Sequence, residues 1–448
     1  MMSEAPFPTV SNFIWLGDRF VETLDLEPAG VRRHRLSEAS GQFSIQQRTA
    51  AGEHVLARDR LGVNKLFFAI DGEGGVHTSN YRFDLARRGF SPEAIWSVPS
   101  GHVITIDPAE RMLALEKYAD LAFNEDPTES ARPTAYAGQI RERLTAVFRS
   151  LAPVVGRRPL YVSLSGGLDS ATVGALAREF VGEFTAVTFA VDTGRSGLHS
   201  EDLHYAARLA AHLGVRFEPV VLTRAQILSL LDTALIYGQD WRDFNVHCAL
   251  VNAAVGAAIR DRHAASASAA APVLLTGDVM NELMADYTAV WYNGREYYRL
   301  PRLSPGRLRR FLVSGLDAGD REVGVFKHFG VDVVQPYALC AEVYASLPAS
   351  FIESPQAKQR LVREVMGDRI PDYIYDRPKT RAQAGGADEI TGTLAVLADA
   401  GIDAAALEQR FSTLFSTDRA RMRQWIRAGF YRFTSSYPTG VTHAALDA

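Results

Sequence analysis

Cysteine is nearly absent from this chain: Cys248 and Cys340 are the only two in 448 residues. Two cysteines exclude a disulfide framework and a thiolate metal site, and they suit a reducing compartment, so a cytoplasmic location is expected. Long apolar runs are missing as well. No stretch approaches the roughly 20 consecutive apolar residues of a membrane helix, and residues 1–20 lack the basic start and apolar run of a secretory signal, so no membrane partner is expected. A net charge of −4 argues against a large basic surface, and hence against a nucleic-acid partner. Lysine is scarce, occurring only at Lys65, Lys117, Lys327, Lys358 and Lys379, so a lysine in a polar loop stands out. Internal repeats and low-complexity tracts are lacking too; residues 264–271 are rich in small side chains and read as a loop. The remainder, 47% hydrophobic and 22% charged, is the composition of a globular enzyme long enough for two or three domains.

The strongest signal lies at residues 160–170. An apolar strand runs into Ser165, Gly166, Gly167, Leu168, Asp169 and Ser170, and then into a helix. Glycines let the backbone approach a phosphate, and the helix that follows aims free N–H groups and a positive dipole end at it. Two hydroxyls supply further donors, and Asp169 offers a hard oxygen ligand for Mg²⁺; the plainer reading of Asp169 is a helix cap. A Walker A loop is excluded because its lysine is missing. The segment reads as a nucleotide pyrophosphate site.

The pattern around it changes along the chain. Residues 12–118 show short alternating strands at 41–47, 54–57, 65–70 and 101–107, with hairpin turn chemistry at 71–75, which predicts a β-rich domain over residues 1–123. Residues 124–134 have the composition of a linker. From 135 to 448 strand and helix alternate, with helices at 136–151 and 201–213, strands at 187–191, 215–222 and 273–277, and a mostly helical stretch from 389 onward. This predicts an α/β domain with a parallel sheet, whose ligands bind beyond the carboxyl ends of the strands, where Gly166 and Gly277 both fall.

Several motifs, taken in order, resemble the asparagine synthetase family over nearly the full length. The six residues from Ser165 match the SGGxDS signature of the PP-loop ATP pyrophosphatases, which cleave ATP between its α and β phosphates. Residues 58–62 with Lys65, Leu66, Phe67 and Phe68 resemble the family's RDxxGxxPL(F/Y) segment, and residues 98–102 its PPGH turn. Ser200, Glu201 and Asp202, then residues 207–214 and 347–351, follow in the family's order. The resemblance implies an N-terminal glutaminase-like β-rich sandwich of the N-terminal-nucleophile (Ntn) type and a C-terminal PP-loop parallel-sheet synthetase domain with a helical C-terminus. Glutamine-hydrolysing members use a cysteine exposed by removal of Met1. Here Met2 follows and no cysteine precedes Cys248, so no acyl-enzyme forms and no ammonia comes from glutamine. Ser3 would substitute only if both methionines were removed. The N-terminal domain is then degenerate and structural, and the chain is similar to the β-lactam and carbapenam synthetases.

The resemblance also implies roles. ATP would lie with its phosphates on Ser165, Gly166, Gly167, Asp169 and Ser170, and its adenine near backbone groups of Leu164, Val191 and Gly277. Residues 275–283 fall where the family has (S/T)GEGxDEL, which makes Asp278 the candidate base on the attacking amine; helix capping is the plainer reading of Asp278 and Glu282. Asn281 replaces the family's second Mg²⁺-binding aspartate, so either one metal, on Asp169, suffices, or Asp278 or Glu282 takes over the second position. Residues 373–381 resemble the RPK and RKK segments that hold a catalytic lysine, pointing to Lys379 rather than to a surface role. Lys358 divides between pyrophosphate contact and a helix surface, and Trp241, Asp243 and His247 between an acceptor pocket and capping or packing. Residues 192–199 contain two glycines and are a candidate lid. Trp291, Tyr292, Tyr297 and Tyr298 divide between the site mouth and the core.

The implied reaction is two-step amide formation with ATP and Mg²⁺, of the kind used in antibiotic and other specialised-metabolite biosynthesis. A substrate carboxylate is adenylated with release of pyrophosphate, and its acyl group passes to a nitrogen nucleophile. The expected partners are a small-molecule carboxylate and an amine; a carrier-borne or peptide substrate and a homodimer stay open. So do two other readings: an intramolecular cyclase like the β-lactam synthetases or lasso-peptide cyclases, and a non-catalytic scaffold.

Overall fold

The computed structural model describes residues 6–27, 29–91, 94–126, 133–194, 200–266, 268–316, 319–386 and 389–416. Met2, Ser3, residues 127–132 of the expected linker, 195–199 of the candidate lid and 417–448 lie outside the described residues.

Short strands dominate as far as Lys117, and their pairings are antiparallel. A four-stranded sheet in the order Met112–Lys117, His102–Asp107, His54–Arg58, Ser44–Arg48 lies at their centre. Side chains alternate across it with the period of two that a pleated strand imposes. Val55, Ala57 and Val103 pack with Ile14, Leu36 and Phe43, whereas Leu56, Ile104 and Ile106 pack with Leu66, Phe68 and Ile70. Two three-stranded sheets flank it, one built on Phe13–Leu16 and one on Phe67–Ile70.

The Arg58 and Asp59 pair is a polar staple for this region. The buried Asp59 carboxylate accepts the backbone N–H groups of Phe43, Leu61, Val63 and Asn64 at 3.0–3.2 Å. Arg58 donates to the carbonyls of Gly62, Asn64 and Val98 at 2.6–3.0 Å. Buried charges of opposite sign, each hydrogen-bonded, close the loop between two sheets.

The second half is built on a five-stranded parallel sheet ordered Arg216–Leu222, Thr185–Val191, Leu160–Ser163, Val273–Leu275, Asp332–Val334. The inner strands are buried on both faces, which is why they read as apolar runs rather than alternations. The strand Asp332–Val334 is too short, at three residues, to leave a pattern in the sequence. Numbered in chain order the sheet runs 3-2-1-4-5, so the winding reverses between Leu160–Ser163 and Val273–Leu275. In open parallel sheets the crevice beyond the carboxyl ends at such a reversal is the ligand-binding position.

Helices Leu168–Phe180, Glu201–Leu213 and Asp243–Ala264 cover the sheet, and Pro133–Val155 leads into it. Past residue 389, Thr393–Asp399 and Ala404–Leu414 are helical. Among the described residues no helix is long and apolar enough to cross a membrane.

Candidate active site

The reversal point opens into a cavity of about 680 Å³. One wall is the loop after Leu160–Ser163. Gly166 holds φ +72°, and a Cβ there would come within 2.5 Å of the Tyr205 side chain, so only glycine fits. The Ser165 and Ser170 hydroxyls lie 3.1 Å apart, and Ser170 also accepts the Ser165 N–H at 3.1 Å, folding the loop over the helix start. Gly167 is the N-cap of helix Leu168–Phe180, so Asp169 is not a cap. It faces the cavity instead: Oδ2 accepts from Lys358 at 2.9 Å, while Oδ1 is buried without a partner.

The opposite wall follows Val273–Leu275. Gly277 lies so close to the loop that a Cβ would come within 2.9 Å of the Ser170 backbone nitrogen. Next, Asp278 opens on the cavity with 37% of its side chain exposed, and Val279 takes φ 81°, a left-handed conformation rare for a β-branched residue. That strained turn aims Asp278 inward while Val279 is buried. Enclosure by the protein raises the Asp278 carboxyl above its ordinary range; Arg321, 3.9 Å away, opposes the shift and Glu282 adds to it. Glu322 lies against Asp278, and burial and that neighbour together push its carboxyl well above the carboxylate range. Charge on both acids at once is disfavoured, and the larger upward shift falls on Glu322. Gln335 donates to Glu322 and holds it in place.

Three basic residues come from the segments after the sheet. Lys358, on helix Ala357–Met366, donates to Asp169, Asn281 and Asp286 at 2.7–2.9 Å. Burial disfavours its charge, but Asp169 and Asp286 outweigh that and hold it above the ordinary lysine range. Lys379 bonds Asp286 at 2.6 Å and Asn281 at 3.1 Å. Burial and the Lys358 charge lower its pKa to about 8. Burial also works against the Asp286 carboxylate, yet the two ammonium groups hold its pKa down to about 2. Arg377 ties the segment to the loop: it donates to the Ser165 carbonyl at 2.7 Å and forms a buried ion pair with Asp202, which Thr380 also reaches at 2.8 Å.

The cavity brings together Ser165, Gly167, Asp169, Ser170, Gly277, Asp278 and Lys379, and adds Lys358, Asp286, Arg321, Glu322 and Arg381. Other candidate positions lie off the cavity wall. Leu164 and Val191 do not line it; Leu164 is fully buried, with its N–H and carbonyl spent on Val187 and Thr188. Gly166 shapes the loop but turns toward Tyr205. Glu282 is not on the wall either: Tyr287 and Arg321 occupy its Oε1. Trp241 stacks near Phe411 at 4.8 Å, Asp243 accepts the Phe244 N–H, and His247 bonds the Tyr298 hydroxyl at 2.6 Å, so all three pack or cap. Tyr297 and Tyr298 are buried, while Trp291 is exposed on a hairpin.

A magnesium ion bridging phosphates takes one or two carboxylates and keeps several waters. The unpartnered Asp169 Oδ1 meets that need. Asn281 does not, since both lysines hold its oxygen, and among the described residues no cluster of three or more His, Cys, Asp or Glu side chains forms a metal cage.

Comparison with known proteins finds likeness over part of the chain. Residues 139–320 match the family model for asparagine synthase. The chain is 21% identical over 371 residues to the glutamine-hydrolysing asparagine synthetase of Gallus gallus, covering 78% of this chain and 64% of that protein. It is 35% identical over 95 residues to the 7-cyano-7-deazaguanine synthase of Polynucleobacter asymbioticus, covering 20% of this chain and 37% of that one. The chain thus spans less than two thirds of either relative. Among solved structures, NMN synthetase from Francisella tularensis overlaps at a TM-score of 0.30 with 15% identity, over 69% of this chain and 100% of that one. An overlap this low carries no argument.

Proposed function

We propose that this chain, whose residues 139–320 match the family model for asparagine synthase, is an ATP-dependent amide synthetase. The reading rests on one observation: a single cavity joins the SGGLDS loop, two lysines and the neighbouring carboxyls of Asp278 and Glu322.

In the first step an oxygen of a substrate carboxylate attacks the α-phosphorus of ATP. The bond to the β-phosphate breaks and pyrophosphate leaves, beside the Ser165 and Ser170 hydroxyls and the Lys358 ammonium. Mg²⁺, held by Asp169, would supply charge neutralisation to the phosphate oxygens. In the second step a nitrogen nucleophile attacks the acyl carbon, its proton passes to Asp278, and AMP departs with the electrons of the acyl–oxygen bond. Lys379 stabilises the oxyanion of the tetrahedral intermediate as a preorganised cation. Asp278 suits the base role because enclosure raises its pKa above the ordinary carboxylate range, which makes it the stronger base.

The nitrogen is read as coming from a free amine or ammonia. Burial pushes the Cys248 thiol on the cavity wall up to about 12, so it is no nucleophile, and no cysteine precedes it. The N-terminal half is read as a degenerate glutaminase-like domain of the Ntn type that serves structure alone. By the family resemblance the β-lactam formers place tyrosine where Asp278 stands, so an acid there favours an added amine over cyclisation.

The test is pyrophosphate release from MgATP with a panel of carboxylates, with and without hydroxylamine as a small nucleophile. The expected result is release with at least one acid, forming a hydroxamate only when hydroxylamine is added. Absence of release and of ATP binding across the panel refutes the reading, and an amide product without added amine indicates a cyclase.

A further inference from the structure

Lys358 stands at the centre of a closed set of charges beside the SGGLDS loop, with 11% of its side chain exposed. Its ammonium reaches Asp169 Oδ2 at 2.9 Å, Asp286 Oδ2 at 2.8 Å and the Asn281 side-chain oxygen at 2.7 Å. An ammonium has three N–H donors, and these contacts occupy all three. Lys379 joins the same set through Asp286 and Asn281. Two ammonium groups thus face two carboxylates and one neutral amide, and with both lysines protonated the set has no net charge.

One atom of this set is left over. Asp169 lines the cavity, and its Oδ1 is buried without a partner. Its other oxygen belongs to Lys358, the one cation among the described residues within ion-pair distance of Asp169. A divalent cation on Oδ1 would meet an ammonium on the same carboxylate, and an enclosed site screens that repulsion poorly. Phosphates change the balance, because they bring enough negative charge for the metal and the lysine together.

We propose that Lys358 is a stand-in cation that closes the metal position of the nucleotide-free protein, so that magnesium enters only together with the phosphates of ATP. The proposal rests on the ATP-dependent reading of the site and adds to it an order of binding set by one lysine. Asn281 is the second part of the device. Its neutral oxygen accepts from both lysines without adding charge, whereas an aspartate there would leave one negative charge over.

Manganese, which takes the same oxygen ligands as magnesium and is paramagnetic, tests this on the full chain at pH 7 through the relaxation of water protons. It is added alone and with α,β-methylene-ATP, a nucleotide that cannot be cleaved between its α and β phosphates. The expected wild-type result is no bound manganese without nucleotide, at a metal concentration that saturates the nucleotide complex. Lys358→Met, uncharged and of similar length, is expected to bind manganese alone about tenfold or more tightly than the wild type. Lys358→Arg keeps the charge and stays closed. Asn281→Asp, which leaves Lys358 in place, moves in the direction of Lys358→Met and carries the test alone should that variant fail to fold, as melting temperatures will show. Asp169→Asn, added to Lys358→Met, removes the gained binding. Manganese binding to the nucleotide-free wild type as tight as to Lys358→Met overturns the proposal. So does a folded Lys358→Met that gains nothing, or a gain that survives Asp169→Asn. Failure of the nucleotide itself to bind refutes the synthetase reading, whereas the gain of metal in the variants is read with no nucleotide present.

Discussion

Lys379 is charged only while the medium stays below its lowered pKa of about 8. The protonated form does the work in the proposed mechanism, so kcat/KM falls as pH rises through about 8. Asp278 must be deprotonated to accept the amine's proton, and its carboxyl lies above the ordinary range. The acid limb of the profile therefore also sits above that range, giving a bell. Lys379→Arg keeps its charge at high pH and removes the alkaline limb, at a lower rate. A wild-type profile flat through about pH 8 contradicts the assignment. Lys379 and Asp169 were legible in the sequence because each belongs to a spaced motif. Asp286 and Glu322 were not: they enter the cavity from turns with no periodicity or signature, and only the tertiary fold gives them partners. Lys358 lay between, conspicuous as one of five lysines yet equally suited to a helix surface.

Among elements, the two turns that follow Leu160–Ser163 and Val273–Leu275 must touch for the site to exist. Gly277→Ala puts a methyl group 2.9 Å from the Ser170 nitrogen and 3.0 Å from the Asp169 carbonyl carbon, and both are backbone atoms that cannot swing aside. The expected loss is about a hundredfold in kcat/KM for ATP, as displacements of about 1 Å cost elsewhere, with the far-ultraviolet circular dichroism unchanged. Wild-type kinetics in this variant would mean that the phosphates bind elsewhere. Most of the parallel sheet could be read in advance from apolar runs ending at glycine, since burial on both faces leaves a strong compositional trace. The joining of separate motifs could not. Arg377 links Ser165, Asp202 and Thr380, which appear in sequence as three unrelated segments.

On the scale of the whole molecule, the N-terminal half reaches into the site's foundations without contributing to its wall. The Gln42 amide donates to the Val333 carbonyl at 2.6 Å and accepts the Gln335 N–H at 3.1 Å, while the Gln335 side chain holds Glu322. Tyr81 bonds the Gly324 carbonyl at 3.0 Å, two residues beyond the same acid. Gln42→Ala leaves two buried backbone groups unpaired, a loss of about 1–3 kcal/mol for each left unsatisfied. It should lower Tm and reduce kcat for amide transfer while the KM for ATP stays unchanged; an equal loss in both steps would argue against a role through Glu322. The β-rich character of this half was readable from alternation and turns, but its bracing of a distant carboxyl is a property of long-range pairing. The linked Lys358, Asp286 and Lys379 charges have a last consequence. The site carries its own counterions, so entry of a triphosphate is an exchange of ions rather than the capture of an anion by bare positive charge. Simple anions, too weak to displace Asp286, gain little there, and added salt loosens nucleotide binding less than the number of cations on the wall would suggest.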